Sequence, residues 1–220
     1  VLAEALAASA RTAGARIETG VRVRAVHRAG SGVRVDCDGG VRSAAAVVVA
    51  TGLAQPLLPE VPPVRTRGMT TWWFSASEPP QRQRLLSIDG RSPRGPVTTI
   101  AEVTAPAPRY ALAGGHLIAV NTALGETGPG GESESAELGE SEVREAAADL
   151  CGSSVRDWQV VAVDRIPHAL PLSGVGVLDR REPALDGPIA VAGDRFRTSS
   201  LNGALESGAA AAHRVNYRLG

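Results

Sequence analysis

The sequence predicts an α/β fold interrupted by an α+β insertion. Three observations predict it. The run AAAVVVA, residues 44–50, is apolar without alternation, as a strand of a parallel sheet buried on both faces is, and it stops at Thr51 and Gly52. A second short apolar run, Ile189 to Ala192, closes on Gly193 and Asp194 and is followed by a helix. Between them lie short strands divided by proline- and glycine-rich turns, with a single helix. Residues 1–60 are therefore assigned to the α/β part, 64–185 to the insertion and 186–220 to the return of the α/β part.

In chain order, Leu2, Ala5, Leu6, Ala10 and Ala13 recur at helical spacing, and Gly14 ends that helix. Ile17 leads into a short strand. Val21 to His27 and Val33 to Asp38 alternate apolar and charged residues, which predicts a hairpin with one wet face, and Gly39 and Gly40 turn the chain into a strand from Val41 to Ala50. Pro56, Pro59, Pro62 and Pro63 break regular structure and mark the crossing into the insertion. Strands are expected at Arg67–Ala76, Arg84–Ile88, Val97–Val103 and His116–Leu124, then a mobile polar loop from Gly125 to Ser135. Ser141 is placed to cap a helix carrying Val143, Ala146, Ala147 and Leu150, with Gly152 closing it. A strand from Trp158 to Ile166 should end before HALPL, because Pro171 argues against a central strand there. A loop to Gly187 follows, and the last helix runs from about Asn202 to Val215.

Composition removes several function classes. The 220 residues carry 23 basic and 23 acidic side chains, so the excess of positive charge that phosphate binding requires is absent and no nucleic-acid partner is expected. No apolar run reaches the roughly 18 residues needed to cross a bilayer, so no transmembrane segment is expected, while peripheral membrane contact is left open. No secretory pattern opens the chain, and a cytoplasmic location is the default. Cys37 and Cys151 stand alone, and His27, His116, His168 and His213 are far apart, so no metal site is assigned. There is no G-x-S-x-G elbow, phosphate-binding loop or HExxH. Every basic residue is arginine; a mechanism that needs a lysine from these residues is excluded.

The stretch IAVAGDRFRTSSLNGALESGAAAAHRV carries the most chemistry. Gly193 at a strand's carboxyl end admits a close ligand, and Asp194 places an acceptor in the crevice where open α/β sheets bind, suited to sugar-like hydroxyls. Gly203, Ser207 and Ala211 fall at i, i+4 and i+8, as do Ala204, Gly208 and Ala212, so two stripes of the helix are nearly bare and something packs there at close range. Its N-terminus, Leu201 to Ala204, offers free amides and the positive dipole end. Plain helix-on-sheet packing would produce the same stripes.

Taken together, LAEALAASARTAGARIETGVRVRAVHRAGSGVRV, VVVATGLAQPLLP, RIPHALPL and GDRFRTSSLNGALESGAAAA resemble, in that order, the carboxyl-terminal two thirds of FAD-dependent amine oxidases, phytoene desaturases and protoporphyrinogen oxidases. The resemblance covers nearly all of the chain and is weakest in the middle. It implies an incomplete FAD-binding Rossmann-like domain with an inserted substrate domain of mixed sheet and helix, and non-covalent FAD. It places Val23 at the adenine, Thr51 and Gly52 along the cofactor channel, and Gly193 and Asp194 at FAD hydroxyls. Leu201, Asn202, Gly203 and Ala204 fall at the helix start against the flavin's pyrimidine edge. His168 to Pro171, with Leu170, falls on the segment returning toward the flavin, where it would line a substrate cavity; a purely structural His168 is the alternative.

Trp72 and Phe74 share one strand face, where they would wall an apolar cavity or fill a core. The family's G-x-G-x-x-G is missing, and the chain opens at Val1 inside a helical pattern with Met69 its one methionine, so that motif is expected upstream. Some family members hold a water with a substrate-domain lysine, which this chain does not have. The expectation is therefore a desaturase-like or protoporphyrinogen-oxidase-like enzyme acting on an apolar small molecule. Its alternatives are a flavin amine oxidase, a noncatalytic remnant or partner subunit, and an NAD-dependent dehydrogenase. The sequence assigns neither a catalytic acid or base nor an oligomeric state.

Overall fold

The structure, a computed structural model, describes residues 2–53, 56–80, 86–111, 114–128, 138–172, 182–183, 185 and 187–220. The chain divides into two compact units, Val1–Pro63 with Leu178–Gly220, and Val64–Val177.

The first unit begins with α1 (Leu2–Thr12), none of whose residues is buried. No strand forms at Ile17, which lies in irregular chain. β1 (Val23–Ala29), β2 (Gly32–Cys37) and β3 (Gly40–Ala44) form an antiparallel meander. The strand expected from Val41 to Ala50 is two strands: β3 pairs antiparallel with β2, whereas β4 (Val47–Val49) pairs parallel with β10 (Ile189–Val191). The break reflects a change of partner. Val41, Arg42 and Ser43 suit a wet hairpin edge, and all of β3 is exposed, while the three valines join an apolar pair. β4 is also not covered on both faces, since Val49 is buried and Val48 is exposed. Val26, Val33, Val49, Leu58, Val61, Ile189, Val191 and Phe196 form the core of this unit. A 3-10 turn (Asp194–Phe196) and α3 (Leu201–Leu219) complete it, the helix running four residues beyond Val215.

The second unit is a five-stranded antiparallel sheet in the order β6-β7-β8-β5-β9. Its strands are β5 (Thr66–Ala76), β6 (Ser87–Ile88), β7 (Val97–Glu102), β8 (His116–Thr127) and β9 (Gln159–Pro171). β8 takes in Gly125–Thr127, which were expected to be loop, because Thr127 pairs with Thr66; residues 129–135 of that loop lie outside the described residues, as do 84 and 85 of the expected second strand. β9 continues to Pro171, past the expected stop at Ile166. The sheet order explains this: β9 is an edge strand, and a proline there forfeits no ladder bond.

α2 (Glu140–Cys151) covers one sheet face, its Val143 and Ala147 packing among Trp72, Phe74, Ile118, Val120 and Trp158. Its N-cap is Gly139 rather than Ser141, because Glu142 reaches back to accept from the Gly139 amide at 2.8 Å, which sets the first turn two residues earlier. Gly152 closes it, as expected. No described helix is long and apolar enough to cross a membrane.

Candidate functional site at the β4–β10 edge

β4 and β10 run parallel in register, with Val49 opposite Val191, and the Ala192 amide donates to the Val49 carbonyl at 3.0 Å. Both strands therefore end on the same edge, which brings Thr51 and Gly52 beside Gly193 and Asp194. Thr51 Oγ1 donates to the Leu53 carbonyl at 3.2 Å and shapes that exit locally. Gly193 has φ +154° and ψ 159°, a conformation that a residue with a Cβ rarely adopts. It swings the chain into the 3-10 turn, where the Phe196 amide donates back to the Gly193 carbonyl at 3.1 Å. Asp194, at the first position of the turn, is half-buried, and no hydrogen bond or ion pair to its carboxylate occurs among the described residues.

α3 packs against this turn and against both strands. Ser200 caps it, its Oγ accepting from the Gly203 amide at 3.1 Å and its carbonyl from the Ala204 amide at 3.0 Å. The amides of Leu201 and Asn202 stay uncommitted among the described residues, as the first turn of a helix leaves them, and both residues are exposed. Of the two small-residue stripes, one is packed: Gly203, Ser207 and Ala211 are buried, with Ala211 against Ala190 and Ala192. Ala204 and Ala212 of the other stripe are exposed and Gly208 is half-buried.

Sequence reasoning missed the polar wiring beneath this edge. The Gly193 amide donates to Ser207 Oγ at 3.1 Å, and Ser207 Oγ donates to Glu182 Oε1 at 3.0 Å. The Glu182 side chain is 4% exposed and lies 3.5 Å from Arg197 Nη2 and 3.4 Å from Arg214 Nη2. In the sequence Ser207 counts only as a small residue of a helix stripe, and Glu182 sits in a stretch with no periodicity to draw attention to it. Arg195 was also missed. Its guanidinium lies over the Phe196 ring at 4.7 Å, Nη2 donates to the Pro62 carbonyl at 2.8 Å, and Nη1 is buried without a partner; burial pushes its pKa down.

The other expected site residues lie elsewhere. Val23 opens β1 opposite Cys37, on the three-stranded sheet rather than on the β4–β10 pair. In the second unit, Trp72 and Phe74 are both buried. They point into the core beneath α2, Phe74 fully buried with its ring 5.5 Å from that of Trp158. Trp73 occupies the opposite face, where its Nε1 donates to Asp164 at 2.8 Å. His168 Nδ1 lies 2.8 Å from Thr66 Oγ1 and 3.2 Å from Thr127 Oγ1, an arrangement that pins β9 to β5 and fits the structural alternative. Leu170 is exposed on the same strand. No group of three metal-ligating side chains occurs among the described residues.

Two glycine-terminated parallel strands and a small-residue helix packed against them are thus found in a chain whose residues 1–216 match the family of flavin-containing amine oxidoreductases. The chain belongs to that family. The family binds FAD and consists of oxidoreductases. Among solved structures, the fold is similar to a protein from Exiguobacterium sp. 255-15 assigned as a protoporphyrinogen oxidase (TM-score 0.67, 20% identity, 90% of this chain and 46% of that one). It is also similar to glycine oxidase from Geobacillus kaustophilus (TM-score 0.65, 21% identity, 97% and 53%). A third is an oxidoreductase from Methanosarcina mazei (TM-score 0.62, 14% identity, 96% and 53%). The chain spans about half the length of these structures. Comparison with curated proteins returns no match.

Proposed function

We propose that the chain supplies the β4–β10 edge of an FAD site in an oxidoreductase that removes hydride from a substrate C–H bond. The observation that carries this reading is the donor and acceptor set at that edge. Asp194 is half-buried with no partner for its carboxylate among the described residues, and Leu201 and Asn202 are exposed with amides uncommitted among those residues, close in sequence to the end of β10. That set fits a ligand with hydroxyl groups at one end and an electron-rich ring edge at the other. FAD bound there would supply the hydride acceptor, the chemistry being the cofactor's own.

The chain's residues do the rest. Asp194 accepts from a ligand hydroxyl. The free amides of Leu201 and Asn202, at the positive end of α3, favour negative charge on the ring edge proposed to lie there. Thr51 and Gly52 border the channel, and the stripe of exposed Ala204 and Ala212 with half-buried Gly208 lets a flat group or another element approach α3 closely. Val23 is assigned to the adenine end on family resemblance. Binding is non-covalent, since Cys37 and Cys151 both lie far in sequence from residues 193–204.

The substrate is proposed to be an apolar small molecule. With Trp72 and Phe74 committed to the core, the wall it would meet is the sheet face away from α2, where Met69, Thr71 and Trp73 alternate with the buried set. The absence of lysine favours a desaturase-like or protoporphyrinogen-oxidase-like reaction over amine oxidation through a lysine-held water. The test is the FAD content of the full polypeptide purified from flavin-replete cells. One FAD per chain, released on denaturation, is expected. Colourless protein that takes up no added FAD contradicts the proposal and leaves the noncatalytic reading.

A further inference from the structure

The buried carboxylate of Glu182 has no part in the ligand contacts above, yet it is the end point of the hydrogen-bond chain that starts at the Gly193 amide. We infer that Glu182 and Ser207 are positioning residues, which hold the Gly193–Asp194 strand end in the conformation that presents Asp194 to a hydroxyl-bearing cofactor. The inference rests on the FAD reading of the edge.

Three features support it. First, the relay is directional. Gly193 N–H donates to Ser207 Oγ at 3.1 Å, which leaves the hydroxyl hydrogen free to donate onward to Glu182 at 3.0 Å, so both groups of the serine are used. Second, it is dry: Ser207 is fully buried and Glu182 nearly so, and a hydrogen bond out of water that ends on a carboxylate is stronger than one between neutral groups. Third, the carboxylate is held from two sides. Arg197, just after the 3-10 turn, and Arg214, on α3, flank it at 3.5 and 3.4 Å, and Arg214 Nη1 also donates to the Pro183 carbonyl at 3.4 Å. One carboxylate thus joins the strand end, the turn and the second and fourth turns of α3. Gly193 needs such a tether. Its φ of +154° is open to glycine because few contacts restrict it, and the same freedom lets the turn drift unless its amide is bonded.

The experiment measures FAD affinity by quenching of flavin fluorescence, together with thermal midpoints, in the full polypeptide. The variants are Ser207→Ala, Glu182→Ala and Glu182→Gln, with Val33→Ala as a core-destabilised control. Ser207→Ala and Glu182→Ala should weaken FAD by about tenfold or more, and Glu182→Gln, which keeps the acceptor, should stay within about threefold of wild type. Val33→Ala should lower the midpoint and leave the affinity unchanged. Wild-type affinity in Ser207→Ala, or affinity that merely follows the midpoint in every variant, overturns the inference. If wild type takes no FAD, the functional reading falls separately, and hydrogen exchange at the Gly193 amide decides the relay. Exchange about tenfold or more faster in Ser207→Ala supports it, and equal exchange in both proteins overturns it.

Discussion

A Cβ placed on Gly203 would lie 1.9 Å from the carbonyl oxygen of Thr198. The backbone before α3 is packed onto the helix's first turn so closely that only glycine fits. Because the same turn presents the Leu201 and Asn202 amides, its geometry and the proposed ligand contacts stand or fall together. Gly203→Ala is expected to destabilise the first unit on the order of 1–3 kcal/mol, as overpacking does, and to weaken FAD retention. Chemical denaturation and flavin content measure the two effects.

Asp194 behaves oppositely. Its carboxylate has no partner among the described residues, so Asp194→Ala should leave the thermal midpoint close to wild type. Loss of a charge-assisted bond to a ligand hydroxyl should weaken FAD by about tenfold or more. Equilibrium dialysis measures it. Unchanged retention removes Asp194 from the site.

Phe74 is fully buried among Trp72, Val143, Ala147 and Trp158, with the Arg144 guanidinium 5.1 Å from its ring centroid. Phe74→Ala should cost about 3–5 kcal/mol of stability in the second unit, the usual penalty for emptying a core aromatic site. Trp73→Phe keeps most of the ring and loses the bond to Asp164, and should cost about 1 kcal/mol. If the open sheet face meets substrate, Trp73→Phe alters KM and Phe74→Ala acts through stability.

Asp89 sets an acid limit. Its carboxylate, with no exposed side-chain surface, accepts from Arg91 Nε at 2.8 Å, Nη2 at 2.9 Å and the backbone amide at 3.0 Å, and from the Gly95 amide at 2.7 Å. Hydrogen bonding from the Arg91 side chain first, then from the two amides, holds its pKa well below the ordinary 3.8. A folded pKa below the unfolded one adds stability that is complete above the unfolded value and is lost as pH falls toward the folded one. Asp89→Asn should therefore lower the thermal midpoint at neutral pH, and the gap to wild type should narrow as pH drops below 3.8. A gap independent of pH contradicts this.

These residues also show what the sequence makes legible. Alternation located β1 and β2 because period two is written in the residues themselves, proline- and glycine-rich turns bounded β5 and β7, and Gly203, Ser207 and Ala211 announced a packed helix face by their spacing. Alternation does not say which face receives the helix. Trp72 and Phe74 point to α2 and Trp73 away from it because α2, about 70 residues further on, lies on that side. The run from Val41 to Ala50 hid a change of partner, since apolar residues suit an antiparallel edge and a parallel pair alike. Glu182 was invisible for a related reason: what makes it matter is burial and contact with Ser207, Arg197 and Arg214, which only the folded chain creates.

The ends of β4 and β10 and the start of α3 are proposed to form one ligand edge. The most direct test of this follows backbone amide resonances of the full polypeptide during FAD titration. Saturable shifts concentrated at Thr51, Gly52, Gly193, Asp194 and Leu201 to Ala204 are expected. Saturable binding whose shifts leave those residues untouched and fall elsewhere would contradict it.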